Sequence, residues 1–385
     1  MGGVSGIGGR GTLHVVQVLG GGSAGTGAHV RSLSAGLVAR GLRVTVCAPP
    51  SAERRYDFTR AGARFVPVPM RTRVEAAVLL RAVSADAHLV HAHGMRAGLL
   101  ATLALRRRDT PLIVTWHTRS TTPGLRAQLR AVTEHLVARA ATVVLGATSD
   151  LVDRARRRGA RDARLAPVAL PAPRTEGESH GPAEREPDPA KVRAELGAMG
   201  RPLLVTATRL ERERSLAVLL AAARSWRSLQ PPPLLVIAGE GPDRALLQRR
   251  IDRERLPVLL LGRGDDAARL LPVADAALLV VEWAGRAPLA QEALRRGVPL
   301  VATAVGGVPE LVGDAALLVP YGDPAALGAA VGALLGDPAL RETLAAAGRA
   351  RSGSWPTEDT TVAQVLSVYD ELAESLRARA ARWRP

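Results

Sequence analysis

The chain has 385 residues, enough for two domains with a core in each, and a formal net charge of +16. Its single cysteine, Cys47, excludes an intramolecular disulfide framework and fits a reducing cytoplasm, and an aromatic content of 3% argues against nucleic acid as a partner. No run of about 18 uncharged apolar residues occurs, so no membrane span is expected.

In chain order, residues 1–11 are Gly-rich, too weakly apolar for a signal peptide, and read as a disordered lead-in. Residues 12–19 form a strand-like run, a glycine loop covers 20–26, and 29–40 has helical spacing with Val30, Leu33, Leu37 and Val38 on one side. Gly41 ends that helix and a strand over 42–48 follows, which makes a βαβ unit. Cys47 in this strand reads as a core thiol. Further strands are predicted over 63–68, 89–92, 112–115 and 142–147, with helices between them. This is the pattern of a doubly wound parallel sheet.

Residues 171–189 hold five prolines and almost no apolar residues, and read as a linker or exposed loop. The alternation then restarts. Strands over 203–207, 234–238, 258–261, 277–281 and 298–302 are separated by helices over 215–228, 245–254 and 288–296. An amphipathic helix over 361–380 closes the chain. The expected organisation is an N-terminal Rossmann-like domain over 12–173, a linker over 174–195, and a second Rossmann-like domain over 196–360.

The charge is uneven. Residues 1–173 hold 25 arginines against nine acidic residues, while the remainder is balanced. Clusters at 106–108 and 154–158, with Arg161 and Arg164, read either as a solvated surface or as a face for an anionic acceptor or an anionic membrane.

Four groups of residues can carry chemistry. The loop with Gly20, Gly22, Gly25 and Thr26 lets backbone N–H groups approach an anion at a helix start, or it is simply a tight turn; it lacks the Gly-Lys-Ser/Thr of a Walker loop. His88, His91, His93 and His117 lie at or near strand ends, and 91, 93 and 117 would face the carboxyl edge of the sheet. His91 and His93 could ligate zinc, but no nearby acid or cysteine completes a tetrahedral set, so no metal is expected. Arg209 and Arg214 follow strand 203–207 and could neutralise a diphosphate. Helix 288–296 starts at a proline, offers free N–H groups near Leu289 and Ala290, and carries Glu292 one turn on.

Residues 274–320 and 206–216 resemble the family 4 glycosyltransferases of GT-B architecture. That family carries two glutamates eight residues apart, and a G-R-L-x-x-x-K-G turn. Glu292 matches the second glutamate, Arg209 the arginine and Arg214 the lysine; Ala284 stands for the first glutamate, and Thr208 and Ser215 for the two glycines. The resemblance spans about residues 12–375. It implies an α/β, GT-B fold of two Rossmann-like domains facing a cleft, with the C-terminal helix (361–385) packing back on the first.

It also implies a retaining, metal-independent transfer from a nucleotide diphosphate sugar, with no cofactor. In that picture Arg209 and Arg214 hold the diphosphate, Glu292 the ribose and His117 the sugar. Gly22, Gly25, Thr26, Leu289 and Ala290 approach the donor, and Gly262 and Arg263 lie beside its base. Glu282, two residues before Ala284, could substitute for the missing acid. The alternative is a catalytically impaired homologue that acts as a binding or scaffolding partner. A GT-B phosphorylase is disfavoured, because the one lysine, Lys191, lies beside the linker.

Overall fold

Parallel strands need crossover helices, which cover both sheet faces and turn alternating strands into unbroken apolar runs. The computed structural model describes residues 12–21, 24–69, 72–119, 124–169, 188–211, 214–262 and 266–382. It divides into two units, Met1–Pro173 with Pro356–Pro385, and Arg174–Trp355.

The first unit holds β1 (His14–Leu19), β2 (Arg43–Ala48), β3 (Arg64–Pro67), β4 (Leu89–His93), β5 (Leu112–Trp116), β6 (Val143–Gly146) and β7 (Ala163–Leu165). Their order is β3-β2-β1-β4-β5-β6-β7. The second holds β8 (Leu203–Ala207), β9 (Leu234–Ala238), β10 (Val258–Leu261), β11 (Ala276–Leu279), β12 (Leu300–Thr303) and β13 (Leu317–Val319), ordered β10-β9-β8-β11-β12-β13. Every pairing is parallel. In each unit the order reverses once, between β1 and β4 and between β8 and β11. The crevice beyond the strand ends at such a reversal is where open α/β sheets bind ligands.

The C-terminal helix, Glu358–Arg382, belongs to the first unit. Val362, Val365, Val368, Tyr369 and Leu372 join the core formed by Val15, Leu19, Val30 and Leu33. Gly36 makes this packing possible, since a Cβ there would lie 2.6 Å from Val362. Arg164 ties the helix down through Glu371 at 2.6 Å, and Gln364 donates to the Leu165 carbonyl at 2.8 Å. In the second unit, Asp-Pro pairs start three helices. The carboxylates of Asp188, Asp323 and Asp337 accept N–H bonds from the first turns, and Pro189, Pro324 and Pro338 follow them.

Three expectations need correction. The first helix begins at Ala24, so Gly25 and Thr26 lie in its first turn, not in a loop. Its glycines serve packing: a Cβ on Gly27 would lie 2.2 Å from the Tyr56 ring. The expected linker ends early, because Pro189–Glu195 is a helix. Val192 pins it to a core with Leu203 and Val236, and Arg193 donates to the Val273 carbonyl at 2.7 Å. A strand, β13, follows β12 where none was predicted. The lead-in 1–11, Gly22, Arg263 and linker residues 174–187 lie outside the described residues. No helix among the described residues is long and apolar enough to cross a membrane.

Candidate functional site

In the second unit, backbone bonds lock together the turns that follow β8, β9 and β10. Thr208 N donates to Ala238 O (3.1 Å), Leu210 N to Glu240 O (3.1 Å) and Gly239 N to Gly262 O (2.7 Å). The approach is so close that a Cβ on Gly239 would lie 1.8 Å from the Thr208 carbonyl. Gly262 thus serves as an acceptor within this frame. Arg209 projects from it, 77% exposed, and pairs with Glu211 through Nε at 2.7 Å. Arg214 opens the next helix and lies over the Tyr321 ring at 5.7 Å. Gly322 leaves space for that guanidinium, at a φ of +83° that also favours glycine. Ser215 is buried, with Oγ 3.4 Å from Tyr321 Oη.

Beyond β11 the loop is equally constrained. Thr303 Oγ1 donates to Val281 O at 2.8 Å, and Gly307 N donates to Ala284 O at 2.8 Å. The Ala284 methyl packs against the apolar cluster that includes Ala287, Ala290 and Leu294, while Glu282 is exposed. Helix Pro288–Arg296 follows, with no side-chain cap at Ala287. The Ala287 carbonyl accepts from Gln291 N, so the N–H groups of Leu289 and Ala290 precede the helix's own ladder.

Arg296 Nε holds Glu292 Oε1 at 2.5 Å. Glu292 Oε2, Gln291 Nε2 and Arg286 Nε are buried without a hydrogen-bond partner, three of the six such side-chain atoms among the described residues. Burial, with Arg295 and Arg351 nearby, pulls Arg286 down to about 10. An unmade bond of this kind costs roughly 1–3 kcal/mol, so three on one short segment mark a place built for polar contact.

In the first unit the reversal point gathers histidines. His93 ends β4, His117 follows β5, and His29 reaches them from helix Ala24–Ala39. The His29 ring centroid lies 5.6 Å from that of His93 and 5.4 Å from that of His117. Gln17 Nε2 donates to Tyr369 Oη at 2.9 Å. The Gln17 carbonyl therefore faces His93 Nε2, at 2.6 Å, and that nitrogen carries the proton. The remaining His93 Nδ1 lone pair points to His117 Nε2 at 3.3 Å. Tyr369 Oη donates in turn to His91 Nδ1 at 2.6 Å, and His91 Nε2 donates to Thr115 Oγ1 at 2.6 Å. Burial keeps all four rings neutral: His29 falls to about 4, His91 to about 3, and His93 and His117 well below the usual range.

One nitrogen from each of His29, His93 and His117 lies within 4.8 Å of the others. Three neutral imidazoles can hold a zinc-type ion, and no carboxylate or thiolate joins them among the described residues. His91 lies one layer back, on Tyr369. His88 accepts from His14 N at the opposite end of β4, five residues or ~16 Å from His93, and is no part of the cluster. Gly25 and a buried Thr26 sit one turn before His29. Sequence reasoning missed His29, Gln17, Tyr369, Arg286 and Gln291. Gln17 was detectable as the one polar residue inside an apolar run.

The arginine clusters also separate. Arg154 and Arg158 converge on the buried Glu134, each at 2.9 Å, and Arg164 lies between Asp162 and Glu371. Arg154, Arg158 and Arg164 are thus engaged by internal acids, while Arg156 and Arg157 of the 154–158 cluster stay exposed. Arg106 and Arg107 remain exposed.

Two family models match this chain. Residues 24–171 match a glycosyl transferase 4-like domain and residues 189–351 match the glycosyl transferases group 1. A phosphatidyl-myo-inositol mannosyltransferase of Mycobacterium leprae is 28% identical over 91% of this chain and 94% of its own length. A D-inositol 3-phosphate glycosyltransferase of Salinispora tropica is 30% identical over 77% of this chain and 67% of its own. Among solved structures, Anabaena HepE in complex with UDP aligns with a TM-score of 0.75 at 16% identity, over 94% of this chain and all of that one, a likeness of fold.

Proposed function

We propose that this chain, which belongs to the family 4 glycosyltransferases of GT-B fold, transfers a sugar from a nucleotide diphosphate sugar with retention, to an anionic acceptor at a membrane surface. The observation that carries the donor reading is the set of buried polar atoms without a hydrogen bond on Arg286, Gln291 and Glu292, beside an uncapped helix start at the β8/β11 reversal. Ribose hydroxyls would donate to Glu292 Oε2. The N–H groups of Leu289 and Ala290 would hold a phosphate, favoured by the helix dipole.

Cleaving a sugar–phosphate bond builds charge on the leaving diphosphate, so Arg209 and Arg214 would stabilise the transition state more than the ground state. Arg209 would exchange Glu211 for the phosphate at small cost, because exposed ion pairs are worth about 0–1 kcal/mol. His117 Nε2 donating to His93 Nδ1 satisfies both nitrogens without an ion and leaves His117 Nδ1 to accept from a sugar hydroxyl. On this reading the site is metal-independent. The anionic acceptor is supported by the excess of arginine over residues 1–173 and by the names of two relatives, both of which specify a phosphorylated inositol.

Ala284 favours a second reading. A methyl cannot accept the sugar hydroxyls, and its loop is fixed by Gly307, so a homologue that binds nucleotide but transfers poorly is the alternative. A thermal-shift panel of nucleotides and nucleotide sugars, followed by hydrolysis assays on each hit, separates them. Stabilisation with sugar release supports transfer, stabilisation alone supports the second reading, and neither overturns the donor site.

A further inference from the structure

Seven of the eleven large apolar side chains exposed among the described residues sit on three helices of the first unit. Arg73–Val83, Met95–Ala104 and Leu125–Ala140 pack side by side in that order. On the third, Leu125, Leu129, Val132 and Leu136 are 51 to 71% exposed. Their spacing of four, three and four puts them on one stripe, while Val137 and Ala138 on the other side are buried. Val74 and Val78, one turn apart, add to this surface from the first helix and Leu103 from the second.

The same surface is basic. Residues 73–83, 95–109 and 124–140 hold nine arginines against three acidic residues. One of those acids, Glu134, is buried and already shared by Arg154 and Arg158. A core-facing helix would turn such a stripe inward; here it faces solvent with arginines on either side.

We infer that these three helices form the face by which the protein docks on an anionic lipid bilayer. An apolar stripe flanked by arginine suits the boundary between headgroups and acyl chains, where burial and attraction to anionic lipid add. A second copy is a poor occupant, because two faces of like charge repel. A protein partner is less suited, since the exposed apolar residues are all Leu and Val and none is aromatic. The inference rests on the reading that the acceptor lies at a membrane.

The test is flotation of the full chain with phosphatidylcholine vesicles, with and without phosphatidylglycerol, at two salt concentrations. Binding is expected to the anionic vesicles only, weakening with salt. The double change Leu129→Glu with Leu136→Glu, at exposed positions, should reduce binding at least tenfold without altering the circular dichroism spectrum. Arg107→Ala should reduce it about fivefold, and Leu246→Glu, exposed on the second unit, should leave it unchanged. No binding, equal binding to neutral vesicles, or full binding by the double variant would overturn the proposal. So would a dimer, or capture of an acidic protein, that depends on Leu129. Nucleotide calorimetry on the same variants reads the donor site separately. It should be unchanged in the double variant, so a failed donor reading and a failed docking face give different results.

Discussion

Glu292→Gln keeps the side chain's shape and removes its charge. In the structure Oε1 is held by Arg296 at 2.5 Å, while Oε2 is buried with no hydrogen bond and Arg295 Nη1 lies 3.9 Å away. Hydroxyls donating to a carboxylate make bonds worth about 1.5–3 kcal/mol, against about 0.5–1.5 for a neutral acceptor. Losing the charge at one such bond therefore costs about 1–2 kcal/mol, or about 5- to 30-fold in nucleotide affinity.

Stability should change less. The Arg296 partner is 40% exposed, so after screening the pair contributes at most about 1 kcal/mol, equivalent to a few degrees in Tm. Calorimetry with UDP and GDP reads the first effect and differential scanning calorimetry the second. A nucleotide bound by the wild type and held within twofold by Glu292→Gln would refute the assignment of Glu292 to the ribose.

Other outcomes follow from the same geometry. Arg209→Ala should weaken nucleotide diphosphate binding by roughly 1.5–3 kcal/mol, since it removes a charge-assisted contact, and Arg214→Ala should do likewise; unchanged calorimetric affinity in both would remove the diphosphate site. Ala284→Glu should raise donor hydrolysis if this position stands for the missing glutamate. If Glu282 has taken over, Glu282→Ala abolishes activity and Ala284→Glu does little. The histidine cluster predicts acid lability. Folding lowers His29 to about 4 from an unfolded value of 6.5, so the unfolded chain binds more protons in that window. The stability is present above pH 6.5 and lost as pH falls toward 4, by about 3 kcal/mol from His29 alone. Chemical denaturation at pH 7 and pH 5 checks this, and His29→Gln should reduce the difference, the other lowered histidines supplying the remainder.

Much of the fold was legible because doubly wound sheets bury whole strands. The apolar runs at 203–207, 234–238 and 258–261 coincide with β8, β9 and β10, and Pro288 and Gly297 bracket their helix by ordinary start and stop chemistry. Gly25 misled, since glycine signals a turn locally, whereas it lies in the first turn of the helix that begins at Ala24, where the neighbouring Gly27 admits the Tyr56 ring. Pro189–Glu195 was hidden in a proline-rich stretch because its stability comes from Val192 and Arg193 meeting distant residues.

At the sites, single positions were legible and partnerships were not. Arg209, Glu292, His93 and His117 stand out by motif or strand end. That His29 joins the histidines, that Tyr369 lies 352 residues from the Gln17 it bonds, and that Glu134 absorbs Arg154 and Arg158 depends on tertiary packing. Counting charge along the chain overestimated the cations available to a partner for that reason.

The central claim is that the β8/β11 reversal binds and activates a nucleotide diphosphate sugar. The most direct measurement is ³¹P NMR of the full chain with a panel of such donors and vesicles carrying an anionic inositol lipid. The account predicts that one donor's pyrophosphate signals convert to those of the free nucleotide diphosphate, at a rate cut severalfold by Glu292→Gln. If no donor binds or converts, with either the wild type or Ala284→Glu, the claim is contradicted.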